Sequence, residues 1–195
     1  HIMPKHLEFL GNYIKKILSG EKKATIRRKT NKFSPGEIVY IHAGGKVLGK
    51  AIITNIRHVR LEEITDEDAK MDGFKNKKEL IDTLKQHYGN IDPDDEFTII
   101  EFKIIQRPKK EIMSSEMAYG GYDPVYIAEL ALKHLREIFN EEDLRILQSV
   151  YETGSIRHVA MKLGGLKRRK VVRATLRRAY EELKKRGIIK PKFEF

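Results

Sequence analysis

Along the chain the apolar positions change period more than once. From Lys5 to Ser19, the residues Leu7, Leu10, Ile14, Ile17 and Leu18 recur at helical spacing. That spacing predicts one helix, which Gly20 stops. From Ala24 onward the period shortens. Residues 24–28 read as an extended piece, and Ser34-Pro35-Gly36 reads as a turn. Glu37 to Ala43 alternates and is β-branched, and Gly44-Gly45 marks a hairpin. Lys46 to Val59 is then a long strand with Gly49 as a bulge or close approach. Helical signals return at Thr65, an N-cap followed by Asp66, Glu67 and Asp68, where negative charge is favoured. That short helix should end near Asp72-Gly73-Phe74, and a second should run from about Asn76 to Tyr88 with Leu80, Ile81 and Leu84 inward. Glu96 to Ile105 alternates and is a strand. Strands on the outside with two helices between them predict a small closed or curled sheet of α+β class, and not a βαβ array.

Gln106 to Tyr122 breaks the pattern with Pro108, Lys109-Lys110, Ser114-Ser115 and Gly120-Gly121, and reads as a linker. Beyond it every signal is helical. Asp123 and Pro124 open a helix carrying Ile127, Leu130, Ala131, Leu135 and Ile138 to about Phe139. Asn140 caps another, with Leu144, Leu147 and Val150 on one face. Ser155 caps a short third that Gly164-Gly165 ends, and residues 167–186 form a final long helix stopped by Gly187. The chain is therefore expected to comprise an α+β domain at 4–106, a linker at 107–122 and an all-α domain at 123–195.

Charge separates the two halves further. Of a net charge of +11, most sits in the last third: residues 140–195 hold 15 Lys and Arg against 7 Asp and Glu, and the first 139 hold 24 against 21. Such an asymmetry favours a polyanionic partner, most simply nucleic acid, although a well-solvated surface has the same composition. The last helix carries an apolar stripe of Val172, Leu176, Ala179 and Leu183. Lys170, Arg173, Arg177 and Lys184 lie away from it, within a sector of roughly 60°. A helix with one buried and one basic stripe can lie in a groove and pair with phosphates. The run from Gly154 to Gly164 resembles the central part of bacterial and archaeal helix-turn-helix regulators. That resemblance implies a helix-turn-helix-like bundle; the basic residues Arg168, Arg169, Lys170, Arg173, Arg177 and Lys184, joined by Arg28 from the first domain, are the expected nucleic-acid contacts. Few Asn or Gln are present to read bases, so phosphate contact is expected.

The absence of Cys excludes disulfides, zinc-finger sites and thiol catalysis. No apolar run reaches the roughly 18 residues of a membrane span and no leader is visible, so a cytoplasmic protein is expected. His1-Ile2 before Met3 reads as a cloning scar. His6, His42, His58, His87, His134 and His158 are scattered in the sequence, so neither metal nor cofactor is expected.

The densest chemistry in the first half lies at Gly20-Glu21-Lys22-Lys23-Ala24-Thr25-Ile26-Arg27. Lys22, Thr25 and Arg27 bring an amine, a hydroxyl and a guanidinium near a chain reversal, and an extended piece puts Thr25 and Arg27 on one side. Such a set can bind a phosphate or a polarised carbonyl, but it also fits a solvated basic strand. The pattern Gly20-x-Lys22-x-x-Thr25-x-Arg27 resembles the signature of the ASCH domain. Phe33-x-Pro35-Gly36-Glu37, Asp72-Gly73-Phe74 and the strand from Phe97 to Ile104 resemble the family's next turn, helix end and last strand. The resemblance covers about residues 5–106 and is of an archaeal type. It implies a PUA-like β-barrel with flanking helices and a cleft for RNA or a nucleoside beside Gly20, Lys22, Lys23, Thr25 and Arg27. Some small bacterial members remove the acetyl group from N4-acetylcytidine with a Lys, a Thr and a Glu. By motif these fall on Lys22, Thr25 and Asp72, the last one methylene shorter.

Three functions follow from these readings. The first is nucleic-acid binding, with RNA favoured, through a nucleotide-sized cleft and a basic helix. The second is an N4-acetylcytidine amidohydrolase using Lys22, Thr25 and Asp72. The third is a DNA regulator whose barrel senses a nucleoside.

Overall fold

Lys5–Phe9 is a strand and not the opening of a helix. In the computed structural model, which describes residues 5–192, this strand (β1) lies parallel to Ile38–Ala43 (β3), pairing Leu7 with Ile41 and Phe9 with Ala43. Leu7 is fully buried, whereas Leu10, which the helical spacing would bury, is 69% exposed. A short apolar run satisfies both periods, and a non-local strand partner decides between them. Helix starts only after Gly11, whose backbone packs against Gly44: a Cβ on Gly11 would lie 3.2 Å from the Gly44 Cα. What remains of the expected helix is Ile14–Ser19 (α1), which buries Ile17.

The remaining strands are Ala24–Arg28 (β2), Lys46–Arg60 (β4) and Glu96–Gln106 (β5). They form one five-stranded sheet in the order β1-β3-β4-β5-β2. Gly44 and Gly45 close the β3–β4 hairpin at φ +57° and +78°, the backbone that a two-residue turn with primed geometry requires. The register steps from Ile41–Gly49 to His42–Val47, so β4 carries a bulge. Gly49 itself passes so near β5 that a Cβ would collide with the Gln106 carbonyl oxygen. β4 pairs with β3 through its first half and with β5 from Lys50 to Arg60, which curls the sheet into a half-barrel. β1 and β2 are left as its two edges.

Between β4 and β5 come Asp66–Met71 (α2) and Lys77–Tyr88 (α3). Thr65 and Asp68 cap α2 reciprocally, and the Arg57–Asp68 ion pair ties that cap to β4. Ala69, Leu80 and Leu84 pack with Ala24, Ile26, Phe97 and Ile99. A second cluster built on Leu7, Val39, Ile41, Ile53 and Phe102 includes Ile17 of α1.

The chain divides into two compact units at Glu111/Ile112. Within the stretch read as a linker, Ser114–Met117 (α4) is a helical turn, and Tyr119 joins the core of the second unit. That unit contains Pro124–His134 (α5), Glu141–Thr153 (α6), Ile156–Lys162 (α7) and Arg169–Lys185 (α8). Asp123, Asn140 and Ser155 cap α5, α6 and α7 as their positions predict. α5 stops earlier than its apolar spacing suggests, and residues 136–138 form a separate tight turn. The predicted stripe Val172, Leu176, Ala179 and Leu183 is wholly buried. The scar at His1-Ile2 and the expected domain ends at 4 and 195 lie outside the described residues.

Candidate functional site

The stretch from Gly20 to Arg27 is held from both sides before any of its side chains act. Gly20, at φ +83°, ends α1 in the left-handed conformation that suits glycine. The Lys22 amide donates to the Lys16 carbonyl at 2.9 Å, and the Lys23 amide donates to Met71 at 2.8 Å. Opposite the stretch, α2 ends at Asp72, and Gly73 turns the chain away at φ +88°. A Cβ on Gly73 would stand 3.3 Å from the Lys22 Cβ. A helix end and the start of a strand are thereby pressed together, with Asp72 facing Lys22.

These two side chains form an ion pair that is almost fully buried, at 3% and 5% side-chain exposure. Lys22 Nζ donates to Asp72 Oδ1, to the Asp72 carbonyl at 3.0 Å and, at a long 3.4 Å, to the Ala24 carbonyl. Asp72 Oδ2 accepts from the Ile26 amide at 3.1 Å. The ammonium also sits 4.8 Å from the Tyr13 ring centre and 5.2 Å from that of Phe9. Burial pushes the Lys22 amine below its ordinary range and the Asp72 carboxyl above it, and their mutual attraction opposes both shifts.

Thr25 and Arg27 project to the same side of β2. Arg27 Nε donates to Thr25 Oγ1 at 3.1 Å, and Nη2 donates to the Glu8 carbonyl of β1 at 2.6 Å. The guanidinium carbon lies 5.2 Å from the Phe9 ring centre. One arginine thus orients the threonine and bridges the two edge strands of the sheet.

Lys22, Thr25, Arg27 and Asp72 all line one cleft of about 380 Å³. Its walls include the rings of Phe9, Tyr13, Phe74 and Tyr88, with Thr83, Gln86 and His87 contributed by α3. Of these wall residues the sequence marks Phe74, in the Asp72-Gly73-Phe74 run, but not Phe9 and Tyr13, which lay inside the segment read as helix. Gly20 and Lys23, expected beside Thr25, instead line a larger hollow of about 650 Å³ with Lys103 and Arg107. Lys22 borders both, but the larger hollow contains none of Thr25, Arg27 and Asp72, so the four side chains converge only on the smaller one.

The expected nucleic-acid contacts divide. Arg28 is engaged within the first unit, paired with Asp95 at 3.2 Å and stacked on Tyr88 and Phe97. Lys184 pairs with Glu181 at 3.2 Å. Arg168, Arg169, Lys170, Arg173 and Arg177 are exposed, and none has a described acidic partner. Arg173 and Arg177 lie near enough to Tyr119 to oppose the upward push of burial on its hydroxyl. On α7, Arg157, His158 and Lys162 surround a hollow of about 430 Å³ with Ser155 and Met161, a basic surface the sequence reading did not single out. Two of the scattered histidines meet across β1 and β3, with His6 Nδ1 and His42 Nε2 2.6 Å apart. Among the described residues Asp92, Asp94 and Asp95 are the acids grouped closely enough for a cation, and Asp95 already holds Arg28. No helix among the described residues is long and apolar enough to cross a membrane.

The chain is similar over part of its length to several solved structures. A protein from Enterococcus faecalis V583 aligns with TM-score 0.47 and 16% identity, over 56% of this chain and 85% of its own. An ASCH protein from Zymomonas mobilis gives 0.47 and 13%, over 60% and 79%. The ASCH domain from Lactobacillus crispatus JV V101 gives 0.43 and 16%, over 47% and 69%. No curated protein matches the chain. The sequence model of the ASCH domain matches residues 5–106, a span that contains the whole sheet, the Lys22–Asp72 pair and the cleft, and the chain belongs to the ASCH domain family.

Proposed function

We propose that the chain binds RNA, seating one nucleotide in the cleft of the first unit and contacting phosphates through the exposed cations of the second. The reading rests on one observation: an amine, a hydroxyl, a guanidinium and a carboxylate converge on a cleft of about 380 Å³ walled by four aromatic rings. Aromatic faces stack bases whatever their sequence, and the volume lies within the usual range for small-ligand sites. In this reading residues 4–106 form a PUA-like domain, 107–122 a linker, and 123–195 a helix-turn-helix-like domain. The protein then works among cytoplasmic RNA. Arg168, Arg169, Lys170, Arg173 and Arg177 supply sequence-independent attraction.

The test is binding to single-stranded RNA, duplex RNA and duplex DNA at several salt concentrations. RNA preference with a steep salt slope is the expected result. Preference for palindromic duplex DNA would overturn it and favour a ligand-sensing regulator.

A second reading is favoured by the buried titratable pair in the cleft that Thr25 also lines: hydrolysis of N4-acetylcytidine. Water adds to the acetyl carbon, the carbon–N4 bond breaks, acetate leaves and the cytidine amine takes the proton. Lys22, with its amine held below the ordinary range, would take a proton during attack, and Asp72 would orient it. Cytidine and acetate release above a Lys22→Ala control supports this reading, and equal release from both excludes it.

A further inference from the structure

The donors and acceptors of the four converging side chains are unequally committed. A lysine ammonium has three donors, and all three of those on Lys22 are directed at Asp72 Oδ1, the Asp72 carbonyl and the Ala24 carbonyl. Both Asp72 carboxylate oxygens are also taken, by Lys22 and by the Ile26 amide. Lys22 cannot donate to a ligand atom without first giving up a buried partner, and Asp72, which only accepts, adds no donor. An arginine has five donors. Arg27 commits Nε to Thr25 and one hydrogen of Nη2 to the Glu8 carbonyl, while Nη1 has no described hydrogen-bond partner. Thr25 accepts from Arg27, and its own hydroxyl hydrogen meets no described acceptor. Every uncommitted donor of the four therefore belongs to Arg27 or Thr25, and both line the cleft.

We infer that Arg27 and Thr25 are the specificity-determining contacts of this cleft, and that they select a ligand group that only accepts hydrogen bonds, a ring carbonyl or a phosphoryl oxygen. Lys22 and Asp72 are positioning residues that fix the start of β2 against the end of α2. The inference rests on the nucleotide-binding reading above and divides its residues into two roles. Arg27 has little freedom to retreat from the ligand. Its plane is fixed between the Phe9 ring at 5.2 Å, Thr25 and the backbone of β1. A lysine at this position has no second nitrogen with which to hold Thr25 while facing a ligand, so charge alone does not replace it.

The experiment titrates the full chain with cytidine, cytidine 5′-monophosphate, ribose 5-phosphate and inorganic phosphate, following amide shifts by NMR. The variants are Arg27→Lys, Arg27→Gln, Thr25→Val and Thr25→Ser. Arg27→Gln should weaken the best-bound probe by about 10- to 100-fold, the range for losing a hydrogen bond to a charged group. Arg27→Lys should fail to restore it, Thr25→Val should weaken it, and Thr25→Ser should bind near the unsubstituted level. Binding of cytidine without phosphate identifies a ring carbonyl as the acceptor, and binding of ribose 5-phosphate or phosphate identifies the phosphoryl oxygen. Thermal unfolding of each variant separates lost contact from lost fold, and Thr25→Val, which leaves the β1 bridge intact, is decisive if Arg27→Gln unfolds. If the unsubstituted chain binds but Arg27→Lys and Thr25→Val bind equally well, the division of roles is wrong while nucleotide binding stands. If the unsubstituted chain binds none of the four probes, both are wrong.

Discussion

Replacing Lys22 by Met tests whether the Lys22–Asp72 pair is a structural necessity of the sheet unit. Both side chains are almost entirely out of water. Without the ammonium, the Asp72 carboxylate keeps only the Ile26 amide as a described hydrogen-bond donor, at 3.1 Å. Removing one partner of a buried pair leaves an uncompensated charge and costs about 3–5 kcal/mol. For a unit near 100 residues, each kcal/mol moves the midpoint by roughly 4–8 °C, so a fall of at least about 12 °C is expected. Because the chain has two compact units, one global midpoint is not a well-defined measure. Hydrogen exchange of β2 and β5 amides in increasing urea isolates the relevant transition. The pH response has a definite sign. With Lys22 gone, burial raises the Asp72 carboxyl without the opposing pull of the ammonium, so the variant's fold tolerates the protonated form better than the carboxylate. The deficit of Lys22→Met should therefore be largest at pH 7 and shrink as pH falls toward about 4. Lys22→Met with Asp72→Leu should recover most of the loss, because an apolar pair needs no partners. A single-variant deficit under about 1 kcal/mol, or a double variant no better than the single, would refute the reasoning.

Other outcomes can be stated more briefly. His42 is buried, which with His6 alongside lowers its pKa to about 4 against the pull of Glu8. The unfolded chain thus binds the proton more readily, and at most about 2 kcal/mol of stability should be lost between pH 7.5 and 5 in urea unfolding; His42→Leu should flatten that dependence. Gly49→Ala should destabilise the sheet unit by about 1–3 kcal/mol in the same assay, because its Cβ meets the Gln106 backbone and not a movable side chain. Arg173→Ala or Arg177→Ala should each lower the logarithmic salt slope of RNA binding by about 1. Arg178→Ala, whose guanidinium is held by Asp143 at 2.7 Å, should leave that slope unchanged.

Much of this architecture was legible in the sequence. Caps at Thr65, Asp123, Asn140 and Ser155, and turns at Gly36, Gly44-Gly45 and Gly73, are local devices, and each falls where its residue type predicts. Gly49 showed its close approach because little else puts a glycine inside a β-branched run. β1 was hidden because its partner in the sheet lies some 34 positions further along the chain, and within one window Leu7, Leu10 and Ile14 satisfy a helix equally well. The site was legible where one motif carried it, as at Lys22, Thr25 and Arg27, and at Asp72 through family resemblance. Its walls were not, since Phe9, Tyr13 and Tyr88 converge only after the sheet curls. Nor could residue type distinguish Arg173, exposed and unpaired with a described acid, from Lys184, which Glu181 already neutralises.

The bridge from Arg27 to the Glu8 carbonyl also bears on where the module can be cut. A fragment starting after Phe9 would retain Lys22, Thr25, Arg27 and Asp72, and by motif it would pass for intact. It would lack the carbonyl that fixes one end of the guanidinium and the ring beneath its plane. The smallest working piece of this fold therefore begins before its signature, at the strand that the signature's last residue holds in place.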